Sequence, residues 1–232
     1  MTGHRFFVDP SDISGDSFRI PAAIEHQVLR VLRLREGDEI VLLDGQGKQA
    51  RCRLEAGGSL SVLERGQPGG EPRHRLTIRQ ALLKGDGLER VVQQGTELGV
   101  AGFQLFVSER CVVRQLSPSR LQRLRAIARE SAEQSERGVV PAVDPPVPLA
   151  EVLDGEAVLL FERTQDQEPR LGALDPPRSV IIGPEGGFSP AELEAAARAG
   201  TRIAGLGPRI LRSESVAIAA AAVVLSRAGD FA

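Results

Sequence analysis

The chain has 232 residues, of which 41% are hydrophobic, so it can bury a core and is not expected to be disordered. Its 29 basic and 31 acidic residues give a net charge of −2, so any attraction to nucleic acid has to come from local patches. Two cysteines are too few for a disulfide framework, no apolar run is long enough to cross a bilayer, and the start lacks a signal peptide. These features exclude a collagen, a membrane span and a secreted miniprotein, and they predict a soluble, cytoplasmic protein.

The first part of the chain has the pattern of a small β-rich domain. A helix is predicted to begin at Pro21, with apolar residues at helical spacing. Three short strand-like runs follow, separated by glycine-rich turns. These runs are residues 39–43, 49–54 and 60–63. Because residues 66–72 are rich in glycine and proline, they are a linker candidate. The sequence therefore predicts a small β-barrel domain over residues 1–70 and a second domain over residues 73–232.

From Leu76 onward, strand-like runs alternate with helix-like ones. This alternation indicates an α/β domain with a mainly parallel sheet. The predicted strands are residues 76–83, 103–107, 157–161, 179–182 and 201–206. The predicted helices are residues 87–98, 118 to about 137, 190–199 and 213–227.

Three of the predicted strands end in loops that are candidates for a ligand pocket. Open parallel sheets bind ligands where the carboxyl ends of their strands meet. The loops are residues 160–162, 183–188 and 205–209. The second loop, Gly-Pro-Glu-Gly-Gly-Phe, carries three glycines but no phosphate-binding fingerprint. Such a loop suits an adenine or another uncharged base edge, which backbone N–H and C=O groups can bind directly. The Ser189-Pro190-Ala191-Glu192 run after it is predicted to be a purely structural helix start.

Arg212 and Glu214 stand immediately before an apolar run, residues 216–225. A charged group at the start of a buried helix loses its hydration, which costs free energy unless the group pairs with an opposite charge or takes part in binding or catalysis. Two interpretations stay open from the pattern alone: an ion pair that caps the helix, or a catalytic pair. Because the run is apolar on every side, its burial can include a subunit interface.

The stretch between Arg110 and Arg137 holds seven arginines against three glutamates. Such a run is usually a solvated helix face, and a face that contacts phosphates is the alternative. The three histidines lie far apart in the sequence and lack metal-ligand spacing, so no metal is expected. No Ser-His-Asp or Cys-His signature is present either.

Several short motifs follow one another along the chain in a distinctive order. The most specific are I-G-P-E-G-G-F-S at 182–189 and L-G-P-R-I-L-R-S-E-S at 206–215. The others are R-V-L-R at 30–33 followed by G-D at 37–38, K-G-D at 84–86, T-E-L-G-V at 96–100, S-E-R at 108–110 and E-Q-S at 133–135. In this order, these motifs resemble the landmarks of one family, the RsmE-type 16S ribosomal RNA uridine-N3 methyltransferases. The departures from the family pattern, Ser213 and Ser215 in place of threonine and Pro208 at a variable position, are conservative.

The resemblance implies more than the composition can. The first domain would be a PUA-like RNA-binding β-barrel, and the second a SPOUT-type parallel sheet with a trefoil knot. The cofactor would be S-adenosyl-L-methionine, and the partners would be a second copy of the chain and 16S ribosomal RNA or the small ribosomal subunit. The enzyme would methylate N3 of one uridine.

The resemblance also suggests roles for individual residues. Arg212 would stabilise the uridine anion, and Glu214, or as a second choice Glu185, would be the base. Glu162 would hold a hydroxyl or amine of the cofactor. The remaining cofactor-binding residues would be Leu160, Gly183, Gly187, Leu206, Gly207, Ile210 and Leu211, and the RNA-binding residues would be Arg30, Arg33, Arg110 and Arg114.

Two alternatives remain beside this prediction. One is a ribosome-associated RNA-binding module that has lost catalysis, although the intact pocket motifs argue against it. The other is a methyltransferase that acts on a different RNA or on a ribose hydroxyl.

Overall fold

The computed structural model describes residues 4–161 and 169–231, and the chain divides into two compact units. The first unit is Met1–Glu71 with Ala132–Val140, and the second is Pro72–Ser131 with Pro141–Ala232. The sequence pattern assigns everything from residue 73 onward to the second domain, whereas the structure groups Ala132–Val140 with the first unit. No helix in the described part of the chain is long and apolar enough to span a membrane.

The first unit is built from short strands and short helices. Its elements are β1 (His4–Phe7), a 3-10 helix (Pro10–Ile13), β2 (Ser17–Arg19), α1 (Ala22–His26) continued by a π-helix (Gln27–Val31), β3 (Glu39–Leu43), β4 (Gln49–Glu55) and β5 (Ser59–Gly66). The five strands form one sheet in the order β1-β3-β4-β5-β2. β1 pairs parallel to β3, and the other neighbours are antiparallel.

Alternation along β4 shows how this sheet buries its core. Ala50, Cys52 and Leu54 point inward, while Arg51 and Arg53 point to solvent. The three strands β3, β4 and β5 confirm the sequence prediction. β1 and β2 are missing from that prediction because they have only four and three residues, too few for a period of two to be visible. Burial raises the pKa of the Cys52 thiol to about 11, so it behaves as an inert core residue.

Segment Ala132–Val140 is held to the first unit by specific contacts. Val139 forms a β-bridge with Gln46. The side chain of Arg137 is only 4% exposed and donates from Nη2 to Glu71 Oε2 at 2.8 Å. The other carboxylate oxygen of Glu71 accepts the backbone N–H groups of Gly138 and Val139 at 3.0 and 3.1 Å. These contacts explain why the segment leaves the second unit.

The second unit alternates strands and helices, as predicted. Its elements are β6 (Thr77–Ala81), α2 (Gly87–Leu98), β7 (Gly102–Val107), α3 (Pro118–Gln134, whose last three residues belong to the first unit), β8 (Ala142–Pro148), a 3-10 helix (Leu149–Val152), β9 (Ala157–Leu160), a 3-10 helix (Leu171–Ala173), β10 (Ser179–Ile182), α4 (Pro190–Arg198), β11 (Arg202–Ala204) and α5 (Ser213–Arg227). The six strands form a sheet in the order β11-β9-β10-β6-β7-β8. Every pair in it is parallel, which confirms the α/β prediction.

The strand register places the carboxyl ends of four strands at the same end of the sheet. Ile182 of β10 lies opposite Leu160 of β9 on one side and Gln80 of β6 on the other. Ala204 of β11 lies opposite Leu160. Since parallel strands point the same way, the loops that follow these four residues emerge side by side. All four residues of β9 and of β10 are buried, as expected for strands covered on both faces.

Helix α5 is apolar from Val216 to Leu225, but it is not buried on every side. Its inner face is fully buried, with Ala217, Ala220, Ala221, Val224 and Leu225 against the unit. Its outer face, which includes Val216, Ile218 and Val223, is only half-buried in this single chain.

Candidate active site

A cavity of about 810 Å³ lies at the carboxyl edge of the six-stranded sheet. The three predicted loops contribute to its wall, together with the start of α5. All predicted catalytic and cofactor-binding residues that the structure describes line it. They are Leu160, Gly183, Glu185, Gly187, Leu206, Gly207, Ile210, Leu211, Arg212 and Glu214. The remaining one, Glu162, lies outside the described residues.

The loop after β10 is shaped by an aromatic ring beneath it. Phe188 is 3% exposed and stacks on Phe106, with ring centroids 6.4 Å apart and an angle of 7° between the planes. A Cβ placed on Gly183 would come within 2.9 Å of this ring, so only glycine allows the backbone to lie on it. Gly187 has a φ of +66°, a left-handed conformation that also favours glycine. The glycines therefore serve the geometry of the cavity wall.

The same loop is fastened from outside by the Ser-Glu-Arg motif. Arg110 donates from Nη1 to the carbonyl oxygen of Gly186 at 3.1 Å. Glu192 accepts the backbone N–H of Glu109 at 2.7 Å, and the hydroxyl of Ser189 donates to Glu109 Oε2 at 2.7 Å. Ser189 and Glu192 also form the predicted capping box of α4. These bonds attach the end of the glycine loop to the segment after β7.

The segment from Leu206 to Leu211 is the least anchored part of the wall. Its residues form no hydrogen bonds with other described residues, although Gly205 just before it is bonded to Pro169 and Leu171. Ile210 and Leu211 are 75% and 39% exposed. Backbone N–H and C=O groups of this segment are therefore available to a ligand.

Arg212 and Glu214 bring charge into this wall. Arg212 occupies the N-cap position of α5 and is exposed, and Glu214 is half-buried in the first helical turn. Neither side chain has a hydrogen-bond or ion-pair partner among the described residues, so the capping ion pair does not form there. By contrast, Glu185 already accepts the backbone N–H of Lys84 at 3.1 Å.

Residues 84–87 also line the cavity, although the sequence prediction did not include them in the site. They comprise the end of the turn between β6 and α2 and the first residue of α2, and Lys84 and Asp86 are exposed. The sequence offers one signal for this turn, the K-G-D landmark at 84–86. The pairing of β6 with β10, which brings the turn to the pocket, is a tertiary property that the strand pattern does not contain.

The predicted RNA-binding arginines fall into two groups. Arg30 and Arg33 lie in the first unit, are exposed, and have side chains without partners in the described part of the chain. Arg110 and Arg114 lie in the second unit and donate to the carbonyl oxygens of Gly186 and Glu109, respectively.

Comparison with known proteins defines the class. Residues 70–225 match the RNA methyltransferase domain family, and residues 28–63 match the RNA methyltransferase PUA domain. Ribosomal RNA small subunit methyltransferase E of Synechocystis sp. is 33% identical over 225 residues, which cover 92% of this chain and 74% of that protein.

Solved structures agree with this class. The Neisseria gonorrhoeae ribosomal RNA small subunit methyltransferase E, bound to S-adenosyl methionine, has a TM-score of 0.85 and 31% identity over 97% of both chains. A Legionella pneumophila protein in complex with the same cofactor has a TM-score of 0.83 and 25% identity, over 97% of this chain and 98% of that one. The chain thus has the fold and domains of an RNA methyltransferase. It belongs to the ribosomal RNA small subunit methyltransferase E family, which confirms the resemblance of its motifs.

Proposed function

We propose that this enzyme transfers the methyl group of S-adenosylmethionine to N3 of a specific uridine in 16S ribosomal RNA. Its family makes it a methyltransferase of small-subunit ribosomal RNA that uses this cofactor. The observation that supports this reaction is that the proposed catalytic residues and the proposed cofactor-binding residues line the same cavity. Arg212 and Glu214, both without partners among the described residues, stand there beside the glycine-lined strand ends.

The residues present suit the cofactor. A cavity of about 810 Å³ is within the usual size of small-molecule sites. The unbonded backbone of Leu206–Leu211 offers N–H and C=O groups for the base edge. We assign the binding of the cofactor to Leu160, Gly183, Gly187, Leu206, Gly207, Ile210 and Leu211, with Glu162 as a candidate for a cofactor hydroxyl or amine. When bound, S-adenosylmethionine supplies an electrophilic methyl group on a sulfonium.

The chemistry of uridine decides what the protein must add. N3 carries a proton and is a poor nucleophile until that proton leaves. The Glu214 carboxylate takes the N3 proton, and the Arg212 guanidinium stabilises the negative charge that then spreads over the uracil ring and its carbonyl oxygens. Glu185 is the second candidate base, and its bond to the Lys84 N–H favours Glu214. Since N3 lies on the pairing edge, the target base must be unpaired or extruded.

RNA binding is assigned to arginines in both units. Arg30 and Arg33 are exposed and free to contact phosphates, which supports an RNA-binding role for the first, PUA-like domain. Arg110 and Arg114 each use part of the guanidinium on a backbone carbonyl, and the remaining N–H groups can still meet a phosphate. The substrate is 16S ribosomal RNA, free or in the small subunit.

We assign a PUA-like barrel to residues 1–70, which form one compact unit with Ala132–Val140, and a SPOUT-type sheet with a trefoil knot to the rest of residues 73–232. The path of the chain after β11 supports the knot. β11 lies at one edge of the sheet, where Gly205 bridges to Arg170. The chain then returns toward the middle of the sheet, because α5 packs on α2, β10, β6 and the 3-10 helix Leu171–Ala173.

A homodimer in the cytoplasm completes the proposal. The outer face of α5 carries only apolar residues between Val216 and Leu225, and it is half-buried in the single chain. Covering it with a second copy would remove this apolar surface from water. Light scattering after size exclusion would show a dimer for the wild type. The Ala222→Glu variant, which places a charge on that face, would then be monomeric, and a monomeric wild type would refute the dimer.

The decisive experiment maps methyl groups by mass spectrometry in ribosomal RNA from a strain that lacks the gene. One N3-methyluridine of 16S ribosomal RNA should disappear, and the purified enzyme with S-adenosylmethionine should restore it. Loss of a ribose methyl group, or of a mark in another RNA, would instead favour the alternative substrate. An intact methylation pattern together with RNA binding would favour a non-catalytic module.

A further inference from the structure

Gln80 is a fully buried polar residue in the middle of the six-stranded sheet. It lies on β6 between β10 and β7 and is 0% exposed. Its Nε2 donates to the hydroxyl oxygen of Ser213 at 2.9 Å. The Ser213 hydroxyl in turn donates to the carbonyl oxygen of Gly183 at 2.6 Å. Two hydrogen bonds thus link the sheet, the first residue of α5 and the glycine loop.

The direction of these bonds follows from the groups themselves. The carbonyl of Gly183 can only accept, so the hydroxyl of Ser213 must donate to it and accept from Gln80. The amide nitrogen of Gln80 also faces the carbonyl oxygens of Ala81 and Ile182, at 3.2 and 3.4 Å. An amide turned the other way would place its oxygen against these two carbonyl oxygens, which can only accept. The relay therefore has one orientation.

Gln80 is not the residue that packing alone would select. Its Oε1 is buried and has no hydrogen-bond partner among the described residues. A buried acceptor without a partner costs stability, and an apolar side chain of the same length would avoid that cost. The presence of a polar residue at this position is therefore explained by the bond that it does make.

The bond to Ser213 matters because Ser213 anchors the chain just after a segment without hydrogen bonds to other described residues. Leu206–Leu211 is not hydrogen-bonded to other described residues, so Ser213 is the first side-chain anchor after Gly205. Arg212 stands between the unanchored segment and this anchor. The opposite wall at Gly183 is independently held by the ring of Phe188.

We propose that Gln80 is a positioning residue: through the hydroxyl of Ser213 it fixes the start of α5 against the Gly183 loop, and so aims Arg212 and Glu214 at the substrate base. The proposal rests on the proposed methyl transfer, in which those two side chains act on uridine. Gln80 itself does not line the cavity. Loss of the relay leaves the cavity in place but lets the reacting groups drift, which lowers the rate of transfer more than cofactor binding.

The test uses the full-length protein and two kinds of variant. Gln80→Met keeps the length of the side chain and removes the donor. Ser213→Thr and Ser213→Val have the same shape but differ in the hydroxyl, so the pair isolates the hydrogen bonds. Single-turnover transfer to 16S ribosomal RNA, the Kd for S-adenosylmethionine by calorimetry and the Tm are measured for each.

We expect Gln80→Met and Ser213→Val to slow transfer roughly tenfold to a hundredfold, with the cofactor Kd changed by less than about threefold. Ser213→Thr should keep the wild-type rate. Because either change breaks the same relay, the Gln80→Met/Ser213→Val double variant should be no slower than the slower single variant. The Tm of Gln80→Met should not fall, since the unpaired Oε1 is removed as well.

Wild-type rates in both Gln80→Met and Ser213→Val would overturn the proposal. So would a loss of rate that is accompanied by equal losses of Tm and cofactor binding, which would show a purely structural role, or a Ser213→Thr variant as slow as Ser213→Val. If the wild-type enzyme itself failed to methylate 16S ribosomal RNA, the proposed function would fail, and the two failures are thereby distinguishable.

Discussion

The ring of Phe188 lies against the backbone of Gly183, where a Cβ would stand only 2.9 Å from ring carbon Cε2. The ring cannot withdraw easily because it is buried and stacked on Phe106. This contact means that the glycine loop at residues 183–188 and the stacked rings of Phe188 and Phe106 form one packed structure.

The first prediction follows from that contact. Gly183→Ala should lower the free energy of unfolding by about 1–3 kcal/mol, since the extra methyl group overpacks a rigid site. Gly207→Ala is the matched control, because a Cβ there meets no heavy atom within 4 Å. Urea unfolding of both variants checks this, and equal stabilities would contradict the packing argument.

The second prediction concerns Arg212. Arg212→Ala should slow methyl transfer by about 10²–10³-fold, as for the loss of one group that stabilises developing negative charge. Cofactor affinity should change far less. Arg209→Ala is the control, because Arg209 is also exposed and lines the same cavity. Single-turnover rates and calorimetry separate the two effects, and a variant that loses cofactor affinity instead would assign Arg212 to binding.

The third prediction separates the two carboxylates. If Glu214 takes the N3 proton, its ionised form is required, so the wild-type rate should rise with pH and then level off. Glu214→Gln should lower the rate and remove this rise, whereas Glu185→Gln should keep it. pH–rate profiles under single turnover provide the measurement. An unchanged profile in Glu214→Gln would remove this residue as the base.

The fourth prediction tests the buried ion pair of the first unit. Glu71→Ala removes a carboxylate that accepts from Arg137 Nη2 and also frees the N–H groups of Gly138 and Val139. Loss of one partner from a buried pair typically costs about 3–5 kcal/mol. We expect a cost near the lower end of that range, because Glu71 is partly exposed. Removal of Glu64, whose ion pair lies on the surface, should change the Tm little.

The fifth prediction is a pH dependence of stability. Burial raises the pKa of Asp154, but hydrogen bonds from Arg79, Glu156 and Ala157 and the charge of Arg79 lower it more, so the net shift is downward. A carboxylate with a lowered pKa in the folded state stabilises the fold above the usual value of 3.8 and loses that contribution as the pH falls below it. Asp154→Asn should therefore show a smaller drop in Tm on acidification than the wild type. An equal drop would contradict this linkage.

Sequence patterns predicted the parts that depend on local regularity. The parallel strands, helices α2 and α5 and the glycine loops all follow from periodicity, capping and composition. β8 was missed because Pro145 and Pro146 lie inside it, and prolines are tolerated there since β8 is an edge strand. The roles of Gln80 and the 84–87 turn depend on which strands are neighbours, and no local pattern contains that information.

Segment Ala132–Val140 belongs to the first unit although it lies within the sequence of the second, and this affects how the protein can be divided into fragments. The chain passes from one unit to the other three times, at residues 71–72, 131–132 and 140–141. A gene fragment that ends after Glu71 would lack Arg137 and the bridge to Gln46, and would leave the Glu71 carboxylate without its donors. Isolating the first unit, or grafting it onto another enzyme, would therefore require splicing two separated stretches rather than a single cut.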